Sequence, residues 1–223
     1  MEKEELVQLS LLGEPEPPAP PSPPRPPWET AGTLEELERL VGACRRCRLR
    51  AGCRRVVFGE GNPQAALMLV GEGPGQAEDE QGRPFVGAAG QLLNNILAAA
   101  GIERSEVFIG NVVKCRPPGN RLPLPDEVKA CRPYLEAQLR LIRPRIVVCL
   151  GALAAQTLID PAVRITRERG RWVEKDGLLI MPTFHPAALL RDPSKKRPVW
   201  QDFQAVLERY RGKEVTPDKT PGL

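Results

Sequence analysis

Four short apolar runs that alternate with helical patterns constrain the fold of this chain more than any other feature. The runs cover residues 66–70, 107–113, 145–150 and 178–182, and most are rich in branched side chains, as buried parallel strands are. Apolar side chains recur every three or four residues over 34–40, 87–100, 126–142 and 199–211, and a short helix is expected after residue 151. Strands alternating with helices predict the α/β class, with a parallel sheet covered by helices on both faces.

Proline marks the boundary of the folded part. Residues 13–27 contain nine of the 25 prolines, which disfavours helix and sheet and favours an extended polyproline II spacer. We therefore expect a terminal peptide at 1–12, a Pro-rich disordered linker at 13–30, a globular domain at 31–212 and a flexible C-terminal tail at 213–223. No apolar run approaches the roughly 20 residues that cross a bilayer, and no secretory signal is visible. We expect a cytoplasmic monomer without a membrane partner.

Charge is divided unevenly along the chain. Residues 1–30 hold two basic and six acidic residues, so their net charge is −4 and that of the remainder is +8. Six arginines lie within 45–55, and a second basic patch follows residue 190. Such patches suit a polyanion such as nucleic acid, although many basic proteins bind none. Apolar side chains beside the second patch either wedge into a base stack or pack beneath their loop. The residues expected at DNA are Arg48, Leu189, Arg191, Lys195 and Lys196, with Leu190 as an alternative to Leu189.

Polar motifs follow three of the four predicted strands. A Gly-Glu-Gly-Pro-Gly loop at 71–75 follows the first strand, Asn111 lies at the end of the second, and His185, the only histidine, follows the fourth. Ligands of open α/β sheets bind beyond the carboxyl ends of the strands, so these motifs predict one site. Each side chain also has a structural interpretation: Glu72 could cap a helix, Asn111 could form a turn, and His185 could have a purely structural role in packing.

The side chains at this edge suit a flat, hydrogen-bonding ligand. Asn111 offers an amide donor and acceptor side by side, which match one edge of a pyrimidine. His185 can donate or accept a hydrogen bond at neutral pH, and Glu72 can act as a base or orient water. Phe85 lies in a Gly/Pro-rich loop, although aromatics make up only 4% of the chain. Stacking on a flat ligand explains its position better than core packing.

The cysteines predict a metal centre. Disulfides are not expected in a cytoplasmic chain, and four of the six cysteines form two pairs. These four are Cys44, Cys47, Cys115 and Cys131. Four thiolates suit either tetrahedral zinc or an iron–sulfur cluster, and the spacing does not decide between them. Cys131 could instead belong to the apolar face of its helix. Cys53 and Cys149 have no partner at comparable spacing, and Cys149 is expected to pack as a small apolar residue.

The motifs together resemble those of a known family. They are GEGPGQAED at 71–79, GRPFVG at 82–87, Asn111, KCRPP at 114–118 and HPA at 185–187. In this order they are similar to the motifs of the family 4 uracil-DNA glycosylases, over about residues 35–210. The resemblance implies a three-layer α/β/α sandwich with a four-stranded parallel sheet. It also implies a 4Fe-4S cluster on Cys44, Cys47, Cys115 and Cys131.

The resemblance also implies an activity. A glycosylase of this type flips uracil out of DNA and hydrolyses its N-glycosidic bond, which starts base excision repair. The implied catalytic residues are Glu72, Glu78, Asn111 and His185. The implied substrate-binding residues are Gly73, Pro74, Phe85, Asn111 and His185. Phe85 would stack on uracil, Asn111 would read its O4 and N3–H edge, and His185 would donate to O2. The sequence does not divide the handling of water and of the cationic sugar between Glu72 and Glu78.

Two other functions fit part of the sequence. One is an iron–sulfur protein that binds nucleic acid without excising a base, and the other is a transferase that holds a phosphate in the glycine loop. A redox protein does not need a side chain that recognises the hydrogen-bonding edge of a base. A transferase should carry Lys or Arg within that loop.

The terminal peptide suggests a protein partner. The stretch from Gln8 to Leu12 resembles the pentapeptide by which bacterial repair proteins dock on the sliding clamp. Apolar side chains on a free tail need a partner to bury them, although an inert tail or a helix that folds back would also account for them.

Overall fold

The computed structural model describes residues 26–212. The strands are β1 Glu60–Gly61, β2 Leu67–Gly71, β3 Phe108–Asn111, β4 Ile146–Leu150, β5 Val173–Lys175 and β6 Leu178–Thr183. The helices are α1 Pro27–Thr30, α2 Leu34–Gly42, α3 Leu49–Gly52, α4 Gln76–Gln81, α5 Ala88–Ala99, α6 Pro125–Ile142, α7 Ala152–Leu158, α8 Ile165–Glu168, α9 Pro186–Arg191 and α10 Lys196–Tyr210. Two 3₁₀ turns cover Pro118–Asn120 and Pro193–Lys195.

The sheet confirms the α/β class but has six strands rather than four. Its order is β1-β3-β2-β4-β6-β5. The four inner strands are the predicted ones and pair in parallel, whereas β1 and β5 pair antiparallel at the two edges. The edge strands are two and three residues long and partly exposed. They therefore lack the continuous apolar run by which buried strands are recognised.

Alternation along the inner strands divides the core into two layers. On β2, Met68 and Val70 belong to the cluster that packs under α2, α6 and α7, while Leu67 and Leu69 belong to the cluster under α5 and α10. Both clusters form because successive side chains of a strand point to opposite faces. Helices therefore cover both faces of the sheet, as a three-layer sandwich requires, and the carboxyl ends of its inner strands are left uncovered for a site.

The last residues of the predicted 13–30 linker are folded, which corrects the end of that linker. Residues Pro27–Thr30 form the helical turn α1 with proline at its start, a position that proline favours. The Trp28 ring lies edge-on at 5.6 Å from the Tyr134 ring, and Arg140 donates to the carbonyl of Ala31 at 3.0 Å. Trp28 buries apolar area against α6, which the sequence pattern did not indicate.

Several expectations concern residues outside the described part of the chain. They are the terminal peptide with its Gln8–Leu12 stretch, the linker before residue 26 and the tail at 213–223. Between residues 26 and 212, no helix is long and apolar enough to cross a membrane.

Candidate active site

A cleft opens beyond the carboxyl ends of β2, β4 and β6. Its volume is about 720 Å³. Of the predicted substrate-binding and catalytic residues, the cleft is lined by Glu72, Gly73, Pro74, Glu78, Phe85 and His185. Asn111 is absent from this lining and is buried at the end of β3, beside β2. The structure thus brings the sequence motifs to one edge of the sheet, because parallel strands end on the same side.

Phe85 is held in a strained loop beside the cleft. Its φ is +52°, a left-handed value that costs a residue with a Cβ atom energy. A Cβ atom on Gly90 would lie 1.9 Å from the Phe85 carbonyl oxygen, so glycine is required where α5 passes this loop. Arg104 donates to the carbonyl of Pro84 at 2.6 Å and forms an ion pair with Glu60 at 2.7 Å. These contacts fix the ring instead of leaving it on a free loop.

Glu78 supports that loop, and its share in catalysis beside Glu72 stays a prediction. Its Oε1 accepts the backbone N–H groups of Val86 and Gly87, each at 2.9 Å, and its Oε2 accepts that of Gly75 at 3.1 Å. Both carboxylate oxygens therefore accept backbone hydrogen bonds. Glu78 joins the glycine loop to the segment that carries Phe85.

His185 has a defined tautomer. It lies just before α9, and its Nδ1 accepts the N–H of Ala187 at 3.1 Å. The proton of the neutral ring is therefore on Nε2. Burial lowers the pKa of His185 to about 4, the Arg191 guanidinium lowers it as well, and Glu78 acts in the opposite direction. The neutral ring lies 5.6 Å from the Phe85 ring, centroid to centroid.

Glu72 lines the cleft, and its carboxylate forms no ion pair with another side chain in the described part of the chain. Burial raises its pKa, and the Leu153 amide and Arg191 reverse only part of this effect. A Cβ atom on Gly151 would lie 2.7 Å from Glu72 Oε1 and 3.1 Å from His185 Cβ, and Gly151 has a φ of +101°. The turn between β4 and α7 therefore leaves room for both functional side chains only because it contains glycine.

Asn111 carries the one buried side-chain polar atom without a partner in the described part of the chain, its Oδ1. The residue is 2% exposed and pairs with Gly71 across the β2–β3 ladder. A Cβ atom on Gly71 would lie 2.5 Å from Asn111 Oδ1 and 2.6 Å from Phe85 Cζ. The absence of a side chain at Gly71 thus lets the amide and the aromatic ring approach each other. An unsatisfied buried acceptor costs about 1–3 kcal/mol, so this amide is suited to an incoming donor.

The basic patch after His185 only partly matches its prediction. Arg191 lines the cleft and Lys196 is exposed, whereas Lys195 forms an ion pair with Asp192 at 3.1 Å. Leu189 is 1% exposed in the core layer under α5 and α10, which corrects its assignment to DNA. Its neighbour Leu190 is 49% exposed. The segment is helix α9 rather than a loop, and a helix turns adjacent side chains about 100° apart.

Arg48 forms an ion pair on the surface of the chain, and its assignment as a phosphate contact stays a prediction. It donates to Asp126 at 2.6 Å and lies 3.8 Å from Glu127. Glu127 is buried and also accepts two hydrogen bonds from Arg121. Arg48 therefore joins the segment after the C-x-x-C pair to the start of α6.

The two cysteine pairs meet around a small cavity, which we call the cysteine cavity. It is lined by Cys44, Cys47, Cys115 and Cys131, by the basic residues Arg46, Arg50 and Lys114, and by apolar side chains. Burial raises the pKa of the Cys131 thiol to about 11 and also raises that of Cys115. Cys53, which the spacing argument left out, is buried and lies within hydrogen-bonding reach of Cys115. Cys149 is fully buried in β4, as expected of a small apolar residue.

The donor set of this cavity is compatible with an iron–sulfur cluster. Among residues 26–212, no group of three His, Cys, Asp or Glu side chains is arranged to hold a metal ion. Four cysteine thiols on one cavity are nevertheless the ligand type that iron–sulfur clusters take. The residues present therefore fit a 4Fe-4S group.

Comparison with known proteins agrees with this geometry. The model of the uracil DNA glycosylase superfamily matches residues 58–204. The type-4 uracil-DNA glycosylase of Thermotoga maritima is 46% identical over 180 residues, which cover 77% of this chain and 94% of that protein. The corresponding protein of Sulfurisphaera tokodaii is 43% identical over 185 residues, or 79% and 84% of the two chains. That of Archaeoglobus fulgidus is 41% identical over 194 residues, or 82% and 96%. With these motifs at one sheet edge and this similarity over most of its length, the chain belongs to the uracil-DNA glycosylase superfamily and, within it, to the type-4 uracil-DNA glycosylases.

Proposed function

We propose that this chain excises uracil from DNA, with Phe85, Asn111 and His185 holding the everted base and Glu72 acting at the sugar. The observation that carries the proposal is the unpartnered Oδ1 of Asn111, which lies beside the Phe85 ring. A base that brings an N–H group to this oxygen relieves a desolvation cost that the free protein bears.

The amide of Asn111 accounts for selection of uracil against cytosine. Its oxygen accepts from N3–H of uracil, and its NH₂ group donates to O4. Cytosine has no N3–H and presents a donor at C4, so both contacts are lost. Each unpaired buried polar group costs about 1–3 kcal/mol. Phe85 stacks on the base, which does not discriminate between pyrimidines but holds the ring in plane with the amide.

Cleavage of the bond between N1 and C1′ moves its electron pair onto uracil and leaves positive charge on the sugar. His185, neutral with its proton on Nε2, donates to uracil O2 as negative charge grows there. The ionised Glu72 stabilises the cationic sugar or orients the water whose oxygen bonds to C1′, and that water's proton leaves to solvent. The backbone of Gly73 and Pro74 borders the same space and completes the wall around the base.

Eversion of the nucleotide costs a few kcal/mol, which DNA contacts must offset. Within the second basic patch, Arg191 and Lys196 can contact phosphates, and Lys195 can exchange Asp192 for a phosphate. Leu190, exposed next to Arg191, fills the gap left in the base stack. Leu189 has no part in this contact because it is buried in the core. Arg48, whose ion pair with Asp126 is exposed, can exchange Asp126 for a phosphate as Lys195 can exchange Asp192.

Cys44, Cys47, Cys115 and Cys131 hold a 4Fe-4S cluster in this proposal. The group supplies four strong metal–thiolate bonds that join the segment around α3 to β3 and α6. The role is structural, since these residues lie in a cavity separate from the cleft.

The activity test uses a uracil-containing oligonucleotide, alkali and analysis of strand cleavage. The wild-type chain is expected to produce alkali-labile sites at uracil and none at cytosine. His185→Ala and Asn111→Ala each lower the cleavage rate by about 100-fold or more, while DNA binding stays within a few-fold of wild type. Lys129→Met, an exposed change remote from the cleft, serves as the control. Full activity in either site variant contradicts the assignment, and no cleavage by wild type favours the binding protein that excises no base.

The Gln8–Leu12 stretch remains a proposed sliding-clamp contact. The test is a pull-down of the clamp with the full chain and with Leu9, Leu11 and Leu12 changed to alanine. Loss of retention in the variant supports the contact, and equal retention ends the idea.

A further inference from the structure

Lys114 is a fully buried lysine whose hydrogen-bond partners are neutral. Its side chain is 1% exposed. Nζ donates to the backbone carbonyl of Asn111 at 2.8 Å and to Oε1 of Gln138 at 2.5 Å. The Gln138 amide is oriented by donating its own Nε2–H to the carbonyl of Phe58 at 2.9 Å. Lys114 therefore has two well-placed acceptors, and neither carries a charge.

A buried ammonium group without a counter-charge is costly. In the described part of the chain, no carboxylate forms an ion pair with Lys114. Of the other deeply buried charges, Glu127 pairs with Arg121 and Asp202 pairs with Arg169. Asp79 instead accepts the backbone N–H groups of Arg54 and Arg55. The charge of Lys114 thus needs a partner that these contacts do not include.

The position of Lys114 indicates that partner. Lys114 lines the cysteine cavity together with Cys44, Cys47, Cys115 and Cys131. Arg46 and Arg50 line it too, but they reach solvent, whereas Lys114 is fully buried. Four thiolates around a 4Fe-4S core give a group with net negative charge, and reduction of the core adds to it. A cation buried against this cavity compensates that charge in a region of low dielectric, where the attraction is strong.

We infer that Lys114 is the internal counter-charge of the metal–thiolate group in the cysteine cavity. The inference rests on the proposed cluster. It assigns to Lys114 a role in holding the group and in setting its reduction potential, because net charge and nearby hydrogen bonds tune such potentials. Through the bond from Nζ to the Asn111 carbonyl, the same ammonium contacts the residue that reads uracil.

The test compares the purified wild-type protein with Lys114→Met and Gln138→Glu. The first variant removes the charge at similar volume. The second puts a carboxylate at the position of the present 2.5 Å contact, so that the ammonium is neutralised within the chain at similar volume, with loss of the hydrogen bond to the Phe58 carbonyl. Lys129→Met removes the same charge from an exposed position on α6 and is the matched control.

Three quantities are measured: iron and sulfide per chain, the decay of visible absorbance under a chelator, and the midpoint potential. Lys114→Met and Gln138→Glu are expected to lose the group about tenfold to 100-fold faster than wild type and to shift the potential to more negative values. Lys129→Met should stay within twofold of the wild-type decay rate.

The outcomes separate the two proposals. Wild-type protein that contains iron and sulfide, with variants that match it in decay and potential, overturns the role of Lys114 and leaves the cluster in place. Wild-type protein that contains neither iron nor sulfide overturns the proposed cluster itself. If Lys114→Met does not fold, Gln138→Glu decides alone, since unchanged decay and potential in that variant overturn the inference.

Discussion

The two carboxylates of the 71–79 motif should respond oppositely to the same substitution. Glu78 accepts three backbone N–H groups, whereas Glu72 faces the cleft with a raised pKa. Changing each to glutamine keeps the shape and removes the charge. We expect Glu78→Gln to lower stability with a modest effect on catalysis, and Glu72→Gln to lower catalysis without lowering stability.

The size of the Glu78 effect follows from its contacts. In Glu78→Gln, the bonds to Val86 and Gly87 become neutral hydrogen bonds, at a loss of about 1 kcal/mol each. The new NH₂ group meets the N–H of Gly75, donor against donor, and an unsatisfied donor costs about 1–3 kcal/mol. Because the site is half-buried, the total is about 2–4 kcal/mol. For a chain of this size, that lowers Tm by about 5–15 °C.

The expected direction of the change in stability in Glu72→Gln follows from the pKa of Glu72. A carboxyl whose pKa is raised by folding makes the native state less stable when ionised, above the pKa of the unfolded chain. Removing that charge in Glu72→Gln should leave Tm unchanged or raise it. If Glu72 acts at the sugar or on water, kcat falls by about 10²–10⁴-fold.

Thermal unfolding and single-turnover cleavage of uracil DNA measure both variants. In Glu78→Gln, KM should rise because the Phe85 loop loses support, and kcat should recover on cooling below the transition. A Glu78→Gln protein as stable as wild type but catalytically dead would refute the structural role. A Glu72→Gln protein that is less stable yet fully active would contradict the catalytic role of Glu72.

Three further outcomes follow from the site. The pKa of His185 falls from 6.5 to about 4 on folding, so the unfolded chain binds more protons between these pH values. The free energy of unfolding should therefore be highest above about pH 6.5 and decline by roughly 3 kcal/mol towards pH 4. Chemical denaturation measures this decline, and His185→Gln should flatten it. Gly151→Ala should displace the Glu72 carboxylate and strain a left-handed turn, so both kcat and Tm should fall. Leu190→Ala should weaken cleavage in duplex DNA far more than in single strands at unchanged Tm, whereas Leu189→Ala, a core truncation, should cost about 2–5 kcal/mol of stability.

The inner sheet was predictable because burial leaves a strong pattern. The four parallel strands are continuous apolar runs, and their order in the chain placed the motifs at one edge. The edge strands β1 and β5 were not predictable in this way, since Glu60–Gly61 and Val173–Lys175 are too short and too polar to differ from loops. Pairing to a neighbouring strand, rather than their own composition, makes them strands.

The sequence allowed us to predict which residues form the site, but it indicated their individual roles less well. The spacing from Gly75 to Glu78 is that of a capping box, which could have indicated that Glu78 binds backbone N–H groups. The proline after His185 is typical of the first position of a helix, which could have separated a buried Leu189 from an exposed Leu190. The pairing of Arg48 with Asp126, across 78 positions, leaves no signal in one sequence.

The segment from Asn111 to Cys115 explains how one short stretch serves two sites. After β3 ends, Val112 donates to the Gly71 carbonyl at 2.9 Å and Val113 to that of Glu72 at 3.2 Å. The segment therefore stays paired beside the glycine loop, while Lys114 binds back to the Asn111 carbonyl. If Asn111 stays in place, Cys115 cannot shift without breaking one of these hydrogen bonds. For that reason, we expect anything that fixes the cysteine cavity also to fix the amide beneath the cleft.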